Sequence, residues 1–359
     1  MFCFDKNFIY QNMKIQFLGT ASGKPSKKRN VTSIAIILED SSYVLIDCGE
    51  GTQRQIMNST LKLSKIDSIY ITHLHGDHIF GLHGLLCTLN DIRNTPLTIF
   101  GPTGIRKYVE YVYKNLTNYS LHVFEINEHL TPITKGKGNF EYTIEFCNVE
   151  HGRDVECFAY KITQRRSIPK IDTSKLLPII DAHRLTIEKA GYKPAEKIIS
   201  WIKEKKSIPP GIFEMKINVE DLILDQSKFS IVIALDNYNC QKMITLFKSC
   251  DVLIHESTYA CFKTMTESEI NDITKLAKHH GHSTNLMAFK NCIDLNCKNL
   301  ILTHFSNRYD VDSEEYERII QGCYIGMDMN RDMNRDMDNV DKKSAITITC
   351  ANDFDIFSY

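Results

Sequence analysis

Long apolar runs, a dominant charge and paired cysteine motifs are all missing from this sequence of 359 residues. No apolar run approaches the ~18 residues that suggest a membrane span, and residues 1–12 lack the cationic start and apolar stretch of a signal peptide. We therefore expect a cytoplasmic protein. The formal net charge is −1, so a nucleic-acid partner would need a local basic patch.

The 12 cysteines form no C-x-x-C pair and no small disulfide framework. Several lie in apolar, strand-like runs, for example Cys147 and Cys350. This pattern is typical of reduced, packed thiols in an intracellular protein. The chain is long enough for one large domain or two modest ones with a sizeable core.

Apolar patterning predicts strands that alternate with helices, after an early hairpin of Ser33–Leu38 and Tyr43–Ile46. This mixture favours two sheets with helices outside them over a purely parallel sheet. Helices are predicted at Glu267–His279 and Ser283–Asn291, and Ala345–Cys350 is predicted as the last strand. Residues 327–339 contain a polar near-repeat and are predicted to be a disordered loop.

Four possible metal ligands lie within six residues, directly after the predicted strand Ile66–Ile71. They are His73, His75, Asp77 and His78. Imidazole and carboxylate groups suit zinc and related divalent ions. A single His-x-His at a strand end is usually a solvated pair, but all four residues together predict a pair of metals held close to each other.

Four ligands cannot complete two metal sites, so further ligands are expected at later strand ends. Three candidates follow apolar runs: His151, Asp236 and His304. Each one alone is weak evidence, because a lone histidine or aspartate at a strand end is usually structural. Their combination in this order strengthens the prediction of a two-metal centre.

The motifs resemble those of the ribonuclease Z (tRNase Z) family, short form, within the metallo-β-lactamase superfamily. The resemblance covers roughly residues 13–310 and the final strand. It implies an α+β fold, a four-layer αβ/βα sandwich with a protruding arm. Besides the histidine cluster, it rests on the segments Phe17–Thr20, Pro25 with Arg29 and Asn30, Asp47–Gln53, His255–Thr258, Gly281–Thr284 and Thr303–Tyr309.

The resemblance also implies roles for the candidate residues. Two zinc ions would be bound, one by His73, His75 and His151, the other by Asp77, His78 and His304, with Asp236 bridging them. Asp77 would also orient or deprotonate the attacking water. Glu256 and His282 would form a dyad that donates a proton to the leaving 3′ oxygen.

Two features depart from the family pattern near the centre. Asp236 stands in Leu235-Asp236-Asn237, where the family usually has Gly-Asp-Thr, so its backbone setting is expected to differ. The extra pair His279-His280 before Gly281 offers two further histidines for the role assigned to His282.

An interval of the kind that forms a tRNA-gripping arm in this family separates His151 from Asp236. Residues 161–206 hold 12 Lys and Arg against 5 Asp and Glu, a surplus of seven, and Ser207–Gly211 resembles the Gly/Pro motif of the arm. We predict a basic tRNA-binding arm at 165–222 within a metallo-β-lactamase domain at 13–359. A solvated lysine-rich helical face is the alternative for such a charge run.

The leading hypothesis is an endoribonuclease that removes the 3′ trailer from precursor tRNA and leaves a 3′ hydroxyl. The resemblance also implies a homodimer, and substrate contacts from Arg29, Asn30, Ser306 and Arg308. Another phosphodiesterase of the same fold, or a non-catalytic RNA-binding relative, is the alternative. A β-lactamase or a glyoxalase-like thioesterase fits the histidine cluster but neither the arm nor the Glu256/His282 pair.

Overall fold

The computed structural model describes residues 13–116, 118–127, 130–137, 140–167, 170–193, 196, 198–200, 222–224, 228–309, 313–325 and 346–359. The predicted loop at 327–339 and the Ser207–Gly211 motif lie outside these residues. The chain divides into two compact units. The first comprises Met1–Ile133, Thr143–Ile162 and Ser230–Tyr359, and the second Thr134–Tyr142 and Thr163–Phe229.

The described residues form strands β1 (Lys14–Gly19), β2 (Ser33–Ile37), β3 (Tyr43–Ile46), β4 (Ile66–Tyr70), β5 (Leu97–Gly101), β6 (Leu121–Glu125), β7 (Ile133–Lys137), β8 (Phe140–Glu150), β9 (Glu156–Arg166), β10 (Lys170–Ile171), β11 (Ile223–Leu224), β12 (Phe229–Ala234), β13 (Val252–Glu256), β14 (Asn299–Thr303), β15 (Thr347–Cys350) and β16 (Ile356–Ser358). The helices are α1 (Thr52–Asn58), α2 (Gly76–Ile79), α3 (Leu82–Leu89), α4 (Ile105–Leu116), α5 (Thr173–Ala182), α6 (Arg184–Lys189), α7 (Gln241–Phe247), α8 (Glu267–His279), α9 (Asn285–Asp294) and α10 (Ser313–Cys323), with a 3-10 turn at Leu63–Lys65. None of these helices is both long and apolar enough to cross a membrane.

Two mixed sheets form the framework. One has the order β16-β1-β2-β3-β4-β5-β6, and the other β15-β14-β13-β12-β9-β8-β7. In the first sheet β1, β2 and β3 are antiparallel, whereas β3 to β6 run parallel. In the second sheet β12 to β15 run parallel. The described residues therefore form an α+β sandwich of two mixed sheets, as the resemblance implies.

Helices cover one face of each sheet. Leu82, Leu85 and Leu86 of α3 share a buried cluster with strand residues of the first sheet. Phe289 of α9 and Met243 of α7 belong to the corresponding cluster on the second sheet. Successive side chains of a strand point to opposite faces of the sheet, so every second strand residue lies outside these clusters.

The two sheets meet through their other faces. Tyr70 of β4 and Tyr160 of β9 are buried and contact each other edge to face, with ring centroids 5.5 Å apart. The Tyr160 hydroxyl donates to the Ile71 carbonyl, 2.5 Å away. This contact fixes the carboxyl end of β4, the point from which the predicted ligand cluster begins.

The second unit has a small apolar cluster of its own. It consists of Leu176 and Ile180 of α5, Ile187 of α6, and Ile198 and Leu222. Asp172 caps α5 by accepting from the Ser174 amide, 3.1 Å away. The unit therefore contains buried structure in addition to the surplus of positive charge.

Several predicted elements agree with the structure and one does not. The early hairpin is confirmed, and α8 begins and ends at the predicted residues. The strand predicted at Ala345–Cys350 forms at Thr347–Cys350, but it is not the last strand, because β16 follows β15 and pairs with β1. Of the 12 cysteines, the 11 that the structure describes are free thiols, and all except Cys87 are buried.

Candidate metal and catalytic centre

The seven predicted ligands converge at the carboxyl ends of strands from both sheets. The ligand atoms of His73, His75, His151 and Asp236 lie within 4.8 Å of one another. Those of Asp77, His78 and His304 form a second such group. Strand ends that meet at one edge bring together residues that are 231 positions apart in the sequence, which explains how so dispersed a set forms one centre.

Asp236 lies between the two groups. Its Oδ2 is 3.7 Å from His73 Nε2 and 3.7 Å from His151 Nε2. Its Oδ1 is 3.3 Å from His78 Nε2 and 3.1 Å from His304 Nε2. One carboxylate thus offers a separate oxygen to each group.

Asp47 orients His78 through the Nδ1 side of its imidazole ring. Its Oδ2 is 2.7 Å from His78 Nδ1, and its Oδ1 accepts from the Thr72 amide, 2.7 Å away. A carboxylate that accepts from Nδ1 fixes the tautomer and leaves Nε2 available as a ligand. The sequence does not reveal this role for Asp47, although Asp47 lies in a matching motif, because nothing in the spacing shows that it reaches a histidine 31 residues away.

His151 and His304 are oriented in the same way by other partners. His151 Nδ1 donates to the Gly281 carbonyl, 2.6 Å away. His304 Nδ1 lies 2.9 Å from the Thr258 hydroxyl, which in turn bonds to Glu256. Both rings therefore present Nε2 to the centre.

The arrangement fits a bound cation. His78 Nε2 and His304 Nε2 are 3.3 Å apart, and each ring uses Nδ1 elsewhere, so two lone pairs face each other. Within the described residues, His73 Nε2 and Asp236 Oδ1 are buried without a hydrogen-bond partner. Buried polar atoms seldom lack partners, and lone pairs that converge on one point are satisfied by a metal ion. We conclude that this cluster is suited to bind metal.

The electrostatics of the cluster agree with that conclusion. Burial alone would raise the pKa of Asp77, but the neighbouring imidazoles of His78 and His304 hold it well below its usual range. The pKa of Asp236 is lowered in the same way, against burial, mainly by His304 and His78. Burial lowers the pKa of His73. Asp236, Asp47 and Asp77 raise the pKa of His78 against the effect of burial, so the acidic groups draw positive charge to this point. Ionised carboxylates are the protonation state in which these side chains bind metal.

Glu256 and His282 form the predicted pair. His282 Nδ1 lies 3.1 Å from Glu256 Oε2, and the Glu256 side chain is fully buried. Burial lowers the pKa of His282, but the Glu256 carboxylate outweighs this effect and raises it to about 9. His280 is excluded from this pairing because its Nδ1 faces the Tyr259 hydroxyl, 3.1 Å away. The ambiguity between the adjacent histidines is thereby removed.

Unusual backbone conformations occur at three positions in the centre. Asp47, Asp236 and His304 have φ angles of 58°, 32° and 55°. Such conformations are disfavoured for residues with a side chain and often occur at functional sites. The family usually has Thr at the position of Asn237. The backbone amide of Asn237 donates to Glu256 Oε1, so the residue next to Asp236 is linked to the Glu256/His282 pair.

The predicted substrate contacts differ in their surroundings. Arg29 is 7% exposed, and its guanidinium donates to Thr20, to Tyr316 and to the Ala351 carbonyl. These contacts give Arg29 a structural role, which sequence reasoning missed, and its contact with substrate stays a prediction. The Asn30 side chain donates to the Glu50 carbonyl, 2.8 Å away.

Ser306 and Arg308 follow His304 on the same loop. Arg308 is exposed, and its guanidinium lies over the Tyr259 ring at 5.3 Å from the centroid. Ser306 is half-buried, and its hydroxyl accepts from the Arg308 amide. The structure therefore keeps Arg308 accessible beside the ligand loop, whereas Arg29 is not accessible.

Comparison with known proteins identifies the family. Ribonuclease Z from Bacillus cereus strain AH820 is 35% identical over 312 residues, which cover 84% of this chain and 91% of that protein. Ribonuclease Z from strain G9842 is 36% identical over 310 residues. The chain belongs to the ribonuclease Z family.

Solved structures show the same fold for this ribonuclease Z family member. The short form of human tRNase Z superposes with a TM-score of 0.57 at 23% identity, covering 96% of this chain and 98% of the human chain. A long-form RNase Z from yeast gives a TM-score of 0.57 at 18% identity, with 97% of this chain covering 42% of the yeast chain.

A family model described as Anti-Pycsar protein Apyc1 matches residues 13–166. That match is shorter than half of the chain and ends before Asp236, Glu256, His282 and His304. The similarity to this family model therefore covers the part of the chain that carries His73, His75, Asp77 and His78, and it does not extend to the whole centre.

Proposed function

We propose that this ribonuclease Z family member is a zinc-dependent endoribonuclease that removes the 3′ trailer from precursor tRNA. The observation that carries the proposal is the position of Asp236 between two ligand groups, with the Glu256/His282 pair beside it. His282 Nδ1 is 3.7 Å from Asp236 Oδ2, so a phosphodiester at the centre lies within reach of both.

The residues would hold two zinc ions. His73, His75 and His151 would bind one ion, and Asp77, His78 and His304 the other, with Asp236 shared between them. Histidine and carboxylate are ligands that zinc accepts readily. Zinc ions in such a centre favour the deprotonation of water and offset negative charge on a phosphodiester.

Asp77 would position the attacking water. Its Oδ2 accepts from the Gly23 amide at 2.7 Å and lies 3.4 Å from His304 Nε2, which fixes one carboxylate oxygen at the edge of the centre. The low pKa of Asp77 keeps it ionised, so it accepts a hydrogen bond from water throughout the neutral range.

His282 would donate the proton that the leaving 3′ oxygen needs. An alkoxide leaves poorly without an acid, and Glu256 favours the protonated imidazole because it raises the pKa of His282 to about 9. The product on the tRNA side would then carry a 3′ hydroxyl, and the trailer would carry the phosphate.

The second unit would supply the grip on tRNA. It contains exposed basic side chains such as Lys175, Arg184, Lys189 and Lys193, within the stretch that has a surplus of seven positive charges. Positive charge of this kind binds phosphate backbones without reading base sequence. Arg308 and Ser306 would contact phosphate near the cut, and Asn30 would help to recognise the 3′ end. The buried Arg29 would support this recognition by holding the loop that carries Asn30.

The test is incubation of the purified protein with a precursor tRNA and, in parallel, with a small phosphodiester, each with and without a chelator. We expect chelator-sensitive release of the trailer that zinc restores. Hydrolysis of the small ester without any trailer cleavage would instead support a generic phosphodiesterase. Absence of both reactions would favour a non-catalytic RNA-binding relative.

We also propose that the protein is a homodimer and acts in the cytoplasm. Both points rest on the family resemblance and on the sequence. The mass in solution, measured by light scattering coupled to size-exclusion chromatography, is expected to be twice that of the 41.3 kDa chain.

A further inference from the structure

Phe80 is a large apolar side chain that remains 62% exposed next to the metal ligands. It follows α2, the short helix that carries Asp77 and His78, and residues three and four apart share one face of a helix. The ring lies against Gly76, since an added Cβ at that glycine would come within 2.2 Å of Phe80 Cε2. Phe80 thus stands on the same face as Asp77.

The backbone around Phe80 is held firmly. The Phe80 amide donates to the Gly76 carbonyl at 2.9 Å, and the Gly81 amide donates to the Cys48 carbonyl at 2.9 Å. A Cβ at Gly81 would lie 2.0 Å from the Gly49 carbonyl oxygen, which shows how closely this turn packs on the adjacent loop. The ring is therefore presented from a fixed base.

Packing within the chain does not explain the exposure of this ring. Among the described residues no other aromatic ring stacks on Phe80, in contrast to Phe124, which is 45% exposed but stacks on Phe100 at 5.2 Å. A scattered exposed apolar residue needs no explanation by itself. An aromatic ring with an open face, three residues from Asp77, matches the platforms on which proteins that bind single-stranded nucleic acid stack bases.

We propose that Phe80 is a stacking platform for a nucleobase that flanks the scissile phosphodiester. The inference rests on the proposed function, because it requires an RNA substrate at the centre. Every base has a π-face, so stacking positions the chain on either side of the cut without selecting a sequence. The two possible occupants are the last base of the mature tRNA and the first base of the trailer.

The experiment compares wild-type protein with Phe80→Ala, Phe80→Leu and Phe80→Tyr on three precursor tRNAs. One substrate is intact, one lacks the base immediately before the cut, and one lacks the base immediately after it. Leu246→Ala is the matched control, since Leu246 is 53% exposed on α7. Thermal unfolding and zinc content are recorded for each variant.

On the intact substrate, we expect Phe80→Ala to lower kcat/KM roughly 5- to 150-fold, the range that loss of one stacked base gives. Phe80→Leu should fall similarly, whereas Phe80→Tyr and Leu246→Ala should keep the wild-type rate. Removing the stacked base from the substrate should lower kcat/KM of the wild-type protein by the same factor. It should cause no further loss in the Phe80→Ala variant. The abasic substrate for which the two losses do not add identifies the base that stacks on Phe80.

The inference would be overturned if the effects of Phe80→Ala and of base removal multiplied on both abasic substrates. It would also be overturned if Phe80→Ala cleaved the intact substrate at the wild-type rate. A Phe80→Leu variant with unchanged activity would also contradict it, because leucine keeps the apolar bulk without the ring. These outcomes differ from a failure of the proposed function, in which wild-type protein itself leaves the intact precursor uncut.

Discussion

Asp47 shows how a residue outside the ligand set governs the centre. It is fully buried, and its carboxylate contacts His78 and both the amide and the hydroxyl of Thr72. Thr72 precedes His73, so the same carboxylate also fixes the start of the ligand loop. The orientation of two predicted ligands, His73 and His78, therefore depends on one side chain outside the predicted ligand set.

Replacing Asp47 with Asn should weaken metal binding. The amide can no longer accept a charge-assisted hydrogen bond from His78 Nδ1, and loss of such a partner typically lowers metal affinity or activity about 10- to 100-fold. Zinc titration of the apo protein measures the change. Asp251→Asn is the control, because Asp251 accepts from Ser230 in the second sheet and contacts no ligand. Equal zinc affinity in the Asp47 variant and wild type would contradict this role.

Replacing Glu256 with Gln should lower kcat for precursor tRNA and leave the zinc content unchanged. Loss of general acid catalysis typically reduces the rate about 10²- to 10⁴-fold. Since Glu256 and His282 act as one pair, the double variant Glu256→Gln/His282→Ala should be little slower than the slower single variant. Glu150→Gln is a matched control, because Glu150 is exposed and bonds to Asn239. Independent, multiplying losses would show that the pair does not act as a unit.

At the scale of elements, the centre depends on how α2 and the following turn pack on the loop after β3. Gly49 and Gly81 allow this approach: a Cβ at Gly49 would lie 2.3 Å from the Asp77 carbonyl oxygen. The carbonyl of His78 accepts from the Cys48 amide at 2.7 Å. Backbone contact therefore positions α2, which carries the predicted ligands Asp77 and His78. A residue larger than glycine at position 49 or 81 would prevent this contact.

Replacing Gly81 with Ala should disturb both stability and metal binding. The added methyl group meets a backbone carbonyl that cannot rotate away, and overpacking of this kind typically costs about 1–3 kcal/mol. Because Gly81 lies two residues after α2, which carries the predicted ligands Asp77 and His78, the shift should also reduce zinc content. Urea unfolding and metal analysis measure the two effects. Gly136→Ala, where nothing lies within 4 Å of the added atom, should leave both unchanged.

Much of this architecture could be predicted from the sequence, whereas the side chains that orient the predicted ligands could not. Strand-end ligands such as His151 and His304 could be predicted because apolar runs mark the strands and chemistry marks the ligands. The roles of Asp47 and Thr258 could not, since a contact across 31 or 46 residues depends on tertiary packing. The burial of Arg29 was missed for the same reason: its partners Tyr316 and Ala351 are more than 280 residues away.

At the scale of the whole molecule, the predicted chemistry and the predicted tRNA contacts fall in different units of the chain. The predicted metal ligands and the Glu256/His282 pair belong to the first unit, whereas the basic stretch from Arg165 onward belongs to the second. Each unit has its own apolar cluster. Changes in the second unit are therefore expected to affect the binding of tRNA and to leave the hydrolysis of a small phosphodiester intact.

Neutralising basic residues of the second unit should raise KM for precursor tRNA. Replacing Lys175, Arg184, Lys189 and Lys193 with Gln would remove the proposed phosphate contacts, so the salt dependence of binding should also become shallower. The control replaces Lys242 and Lys248, which are exposed on or next to α7 in the first unit. Deleting residues 165–222 should have the same effect in stronger form. An unchanged KM and salt slope would refute the assignment of the arm.

Chemical mapping of both product ends after cleavage of a precursor tRNA tests the proposed removal of the 3′ trailer most directly. We expect a single cut beside the discriminator nucleotide, a 3′ hydroxyl on the tRNA and a 5′ phosphate on the trailer, all lost with chelator or with Asp77→Ala. A 3′ phosphate or cyclic phosphate on the tRNA, or cleavage that persists without metal, would contradict the account.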